Sequence, residues 1–240
     1  VSLAWLLGFT AIPVVGFLIF LVFGTGLKRK TAKKYAERWR MNMDLTERMS
    51  VEDGKRIINE YKNLPQGSLI TYLLNINSSV PTDGNSVEIF TSADDKFTEL
   101  LKDIEHAEKS INMLYFIIRD DEIGNKIIDI LIDKAQNGVE VRLLYDAVGS
   151  RLFSDKSIHK LKKSGVKVGA FFPSFMKVIN FNLNYRNHRK IVVIDGNVGF
   201  IGGNNIGDEY LGKDPKFGYW RDTHLKITGD SVKDLNIRFI

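Results

Sequence analysis

The sequence predicts an α/β sandwich on a mixed sheet, preceded by a transmembrane helix. Three observations predict it: amphipathic helices alternating with strand-like runs from Val87 onward, strands crowded together after Lys190, and an uncharged apolar run from Leu3 to Phe23. Alternation indicates helices packed on an at least partly parallel sheet, and the crowding indicates that the later strands pair antiparallel.

The elements follow in order. As a helix rising about 1.5 Å per residue, Leu3 to Phe23 would span roughly the 30 Å of a bilayer core. Pro13 and Gly16 are tolerated in a membrane helix. Residues 1–27 are therefore expected to form a transmembrane helix. Lys28, Arg29, Lys30, Lys33, Lys34, Arg38 and Arg40 come next, opposed only by Glu37, which predicts that the chain after residue 27 is cytoplasmic. Tyr35 and Trp39 among these bases suit a segment lying on anionic headgroups. A first residue of Val rather than Met leads us to expect further residues upstream. Residues 28–84 read as a basic, helical juxtamembrane linker that closes in turn formers between Leu64 and Asn85 around a short apolar piece, Leu69 to Leu74.

Residues 85–240 read as the folded lobe. Strands are expected at Val87–Phe90, Ile111–Ile118, Val139–Tyr145 and Val166–Phe172. Between them come a helix from Asp94 with Phe97, Leu100, Leu101 and Ile104 on one face, a helix from Glu122 that Gly138 stops, and a short helix near Ser157–Lys163. Further strands are expected at Lys190–Ile194, Val198–Ile201 and Thr223–Ile227.

Composition narrows the function. The absence of cysteine removes disulfides and thiolate metal sites, and the formal charge of +5 favours an anionic partner. The informative stretch is Asn187 to Gly196 followed by Gly202, Gly203, Asn204 and Asn205. Residues two apart on a strand share a face, so His188 and Lys190 converge. Imidazole, ammonium and amide donors without a carboxylate cluster suit a phosphate site that needs no metal or other cofactor. His188 would attack phosphorus, while Lys190 and Asn205 neutralise the growing charge and Gly203 permits close approach. Asp195 with Gly196 reads as the turn ending the strand, and Asp222 is the candidate carboxylate that fixes the His188 tautomer. His106 and His159 read as solvated, His224 as either site lining or core, and Asp146 and Arg151 as either ligand-binding or ordinary turn residues. Phe171, Phe172, Phe175, Met176, Ile179 and Phe181 form an apolar approach to the motif, suited to the core or to a membrane interface.

The spacing His-x-Lys-x4-Asp-x6-Gly-Gly-x-Asn at His188, Lys190, Asp195, Gly202, Gly203 and Asn205 resembles the phospholipase D superfamily signature. Together with the anchor and the stretches 115–121, 143–150 and 220–224, it is similar to bacterial cardiolipin synthases. The resemblance implies a phospholipase D-like sandwich and a membrane-bound phosphatidyltransferase acting on phosphatidylglycerol, not nucleic acid. It also implies His188, Lys190 and Asp195 as the catalytic set, with Asp195 in a supporting role. Such enzymes carry the motif twice and this chain carries it once, so either a second lobe or a homodimer is expected to complete the site. A phospholipase D-like hydrolase or nuclease, and a non-catalytic membrane-bound fragment, are the alternative readings.

Overall fold

The computed structural model describes residues 8–23, 56, 58–77, 81–82, 84–171 and 186–239, which divide into two compact units. In the first, helix α1 spans Pro13–Phe23 and helix α2 spans Gly67–Asn77. The apolar run bends at Ile12, ahead of Pro13, whose ring cannot continue the preceding turn. Gly16, lacking a side chain, lets the Gly8 carbonyl lie where a Cβ would be. Among the described residues no helix is long and apolar enough to cross a membrane. The ends of the expected span, 1–7 and 24–27, lie outside them, as does the basic run 28–40. Helix α2 replaces the turn-rich reading of its segment. Leu69, Ile70, Leu73, Leu74 and Ile76 recur at helical spacing, and the Thr71 hydroxyl donates to the Gly67 carbonyl at 2.8 Å.

The second unit is a seven-stranded sheet with helices on both faces. Its elements are β1 (Ser86–Phe90), α3 (Ala93–Glu105), β2 (Ser110–Tyr115), α4 (Glu122–Gln136), β3 (Glu140–Asp146), α5 (Asp155–Lys163), β4 (Lys167–Phe171), β5 (Ile191–Ile194), β6 (Val198–Gly202), β7 (His224–Thr228) and α6 (Ser231–Phe239). The spatial order is β1-β7-β6-β5-β2-β3-β4. The β2, β3 and β4 strands are parallel, and every other pairing is antiparallel. The mixed sheet is thus as expected. Helix α6 was not anticipated, the Ile111 strand stops at Tyr115, and residues 172–185 of the apolar approach lie outside the described residues.

Period-two alternation sorts the core. Val192 and Ile194 of β5 join Ile111, Met113 and Tyr115 of β2 under α3, α4 and α5, whereas Ile191 and Val193 join Leu114 under α6. Side-chain caps begin α3, α4 and α5: Ser92 accepts from the amides of Asp94 and Asp95, Asp121 from Gly124, and Ser154 from Ser157. Because β5 runs against β2, its amino-terminal end lies beside the carboxyl ends of the parallel strands, and the expected site residues other than Asp195 collect along that edge.

Candidate active site

His188 and Lys190 lie just before β5, on the face that Val192 continues. Lys190 folds back on its own segment: its ammonium donates to the His188 carbonyl at 2.7 Å and stands 3.0 Å from Nδ1 and 3.2 Å from Nε2 of the same ring. A neutral imidazole has one acceptor nitrogen, so one ring contact is a hydrogen bond. The exposed His188 ring lies against Phe116, with centroids 4.6 Å apart, while Lys190 is buried. Burial, then the Lys190 ammonium, hold the His188 pKa below its ordinary value against a weaker opposing pull from Asp146. Burial brings Lys190 down to about 8, with Asp222 opposing. At neutral pH the pair is therefore an unprotonated ring beside a protonated amine, which is what a nucleophile and an anion binder require.

Three carboxylates take different parts. Asp222 lies against Gly203, where a Cβ would overlap its carboxylate. Its charge acts on Lys190, and its Oδ1 accepts the Thr223 amide at 2.7 Å. The carboxylate acting on His188 is Asp146, fully buried at the end of β3, which accepts from the amides of Val148, Gly149 and Asn187. It thereby ties the residue before His188 to β3. The turn-forming character of residues 146–150 hid this role in the sequence; its position just past a strand end was the available clue. Asp195 sits at the far end of β5, about 16 Å of extended chain from Lys190. It accepts from the amides of Glu108, Lys109 and Ser110, so it joins the β5 turn to the segment entering β2 rather than meeting the His188–Lys190 pair. Burial raises its pKa, but those three amides together with the charge of Lys109 outweigh it and the net shift is downward.

Asn205 is also committed to the scaffold. Its Oδ1 accepts from the Ile117 amide at 3.0 Å and its Nδ2 donates to the Tyr210 hydroxyl at 2.7 Å. The expected freedom of this amide to meet an anion is reduced accordingly. His224 resolves toward the interior: it is fully buried, and neither ring nitrogen has a hydrogen-bond partner. It stands opposite Gly202, where a Cβ would meet the His224 Cα at 2.5 Å and its Nδ1 at 2.6 Å. Beyond Gly202, one position past the last paired residues of β5, Lys190 and Tyr115 continue the same cross-strand row. The Tyr115 hydroxyl is 3.2 Å from the fully buried Lys96 ammonium. Burial lowers Lys96 well below the usual lysine value and, with the charges of Lys96 and Lys190, lowers His224 to about 2. Among the described residues the floor beneath Lys190 is thus formed by the polar groups of Lys96, Tyr115 and His224. His106 bonds the Lys102 carbonyl at a helix end, and His159 and Arg151 are exposed.

Residues 100–215 match the family described as cardiolipin synthase, PLD-like domain. This segment belongs to that family. The cardiolipin synthase-type domain contains His188, Lys190, Asp195, Gly203 and Asn205, while Asp222 follows it. The major cardiolipin synthase of Bacillus subtilis is 44% identical over 242 residues, covering 100% of this chain and 50% of that protein. A cardiolipin synthase of Oceanobacillus iheyensis is 42% identical with the same coverage. The chain spans about half the length of these curated relatives. Among solved structures, NucT from Helicobacter pylori superposes with a TM-score of 0.50 at 18% identity, over 65% of this chain and 93% of that one. The phosphatidylserine synthase of Haemophilus influenzae gives 0.50 at 21%, over 64% and 35%. These two establish the phospholipase D-like fold.

Proposed function

We propose that this chain is the first lobe of a bacterial phosphatidyltransferase of the cardiolipin synthase kind. The observation that carries the reading is the His188 ring held 3.0 Å from the buried Lys190 amine. A ring nitrogen of His188 attacks the phosphorus of one phosphatidylglycerol; the bond to the headgroup glycerol breaks, and glycerol leaves with a proton. The hydroxyl of a second phosphatidylglycerol then attacks the phosphohistidine, giving its proton to the group that protonated the glycerol, yielding cardiolipin and freeing the ring. Lys190 balances charge on the phosphoryl oxygens in both steps, Gly203 and Asp222 set the Lys190 environment, and Asp195 and Asn205 hold the frame. A second lobe, or a second copy, supplies the acid that protonates the leaving glycerol. Residues 1–27 anchor the protein in the cell membrane, 28–84 link, and the lobe from 85 onward works on the cytoplasmic side. The exposed Val14, Phe17 and Leu18 in α1 support an apolar environment for that segment.

The test incubates the chain in liposomes with headgroup-labelled phosphatidylglycerol, alone and with a two-motif relative's second lobe. Release of labelled glycerol with cardiolipin, abolished in His188→Ala, is the expected result. Turnover undiminished in His188→Ala would remove the nucleophile and the mechanism with it.

A further inference from the structure

The turn between the motif and β7 presents an aromatic side chain to solvent on a rigid support. Tyr219 is 82% exposed and Phe217 45%, with Lys216 and Arg221 exposed on either side. The turn is well braced. The amides of Phe217 and Gly218 donate to the Asp214 carbonyl at 3.1 and 3.0 Å, the Lys216 amide donates to the Asp214 carboxylate at 2.9 Å, and Gly212 and Gly218 take the left-handed conformation the reversals need. Trp220 packs edge-on to Phe217 and to Tyr210, centroids 5.8 and 5.1 Å away, and the Tyr210 hydroxyl is the partner of Asn205 in the motif. Two residues after Trp220 comes Asp222, against Gly203 and within the field of Lys190.

An ordered turn holding an exposed tyrosine between two cations has the chemistry of a membrane interface. Amphipathic rings settle at headgroup level and basic residues are drawn to anionic lipid. We propose that residues 212–221 dock the lobe on an anionic phospholipid surface and so bring headgroups to the His188–Lys190 edge of the sheet. This rests on the lipid-substrate reading above and names the contact through which the lobe meets its substrate surface. The occupant is a bilayer rather than a protein because the turn offers exposed rings flanked by positive charge, not a groove or an open strand edge.

The absence of cysteine in the chain makes the test clean. Tyr219→Cys carries a single environment-sensitive fluorophore in the full chain reconstituted into vesicles. Lys163→Cys, exposed in the last turn of α5 at the opposite edge of the sheet, carries it as the control. In phosphatidylglycerol vesicles the label at 219 should shift to the blue and be quenched by nitroxide lipids, and the label at 163 should do neither. Phosphatidylcholine should remove the effect. At roughly fivefold per basic residue, Lys216→Gln with Arg221→Gln should lower the docked-to-free ratio on the order of 25-fold. An unquenched label at 219, equal quenching in phosphatidylcholine, or a lipid-independent shift that grows with protein concentration would each overturn the proposal. The last would assign the turn to a second copy of the chain. Docking without phosphatidyl transfer would instead count against the enzymatic reading alone, and transfer without docking against this proposal alone.

Discussion

Lys190 and His188 titrate on opposite sides of neutrality, and the rate should reveal both. Raising the pH through about 8 removes the Lys190 proton, and lowering it through the depressed His188 value blocks the ring. Asp222 is the group that opposes the fall in the Lys190 pKa, so Asp222→Asn should move the basic limb to lower pH and leave the acidic limb in place. Lysine side-chain NMR of Lys190 gives the same answer without turnover, and an unmoved titration would remove Asp222 from this role. Asp195 should behave differently. Its folded pKa is depressed, so its stabilisation is present above the ordinary carboxylate range and is lost as pH falls through the folded value. Asp195→Asn should therefore cost about 1–2 kcal/mol near pH 7, a gap that closes on acidification, in urea melts at a series of pH values. The residue spacing made both aspartates visible but not their partners. Asp195 reads as catalytic because it recurs in the signature, whereas its hydrogen bonds run to residues 108–110, a pairing no local pattern announces.

At the scale of elements, the two motif glycines separate cleanly. A methyl at Gly202 would strike the His224 backbone across the β6–β7 pair, so Gly202→Ala should destabilise the fold by about 1–3 kcal/mol by overpacking. A methyl at Gly203 would strike the Asp222 carboxylate instead. Gly203→Ala should leave the melting midpoint nearer the parent's and displace the basic limb as Asp222→Asn does; a shared loss of stability in both alanine variants would refute the distinction. The strands and helices around these glycines were legible because their apolar residues recur at periods of two and 3.6, as in Ile191–Ile194 and in α3. Helix α2 was not, since Gly67, Asn75 and Asn77 resemble turn residues while the apolar stripe between them decides the outcome. Pro13 worked the other way: a run uniform in hydropathy contains a break that only backbone chemistry foretells.

On the scale of the whole molecule, the site takes Tyr115 from β2, Asp146 from β3, Lys190 from the approach to β5, Gly202 from β6 and His224 from β7. These strands are far apart in the chain yet meet along one edge of the sheet. That edge could be anticipated from the parallel β2–β3 pair, but which distant residues share a row depends on register, which a single sequence does not disclose. Time is where this arrangement has its consequence. The contact between Lys190 and His188 is local, but no subset of neighbouring segments can build the rest of their environment, so the last long-range strand pairing must close before the site is complete. In a refolding experiment, the tilted contact between Phe116 and His188 should appear only with the slowest phase, after the bulk of the helical signal has returned. A newly made chain would then spend its earliest interval structured in part and chemically silent, ripening all at once when β5 and β6 close the middle of the sheet.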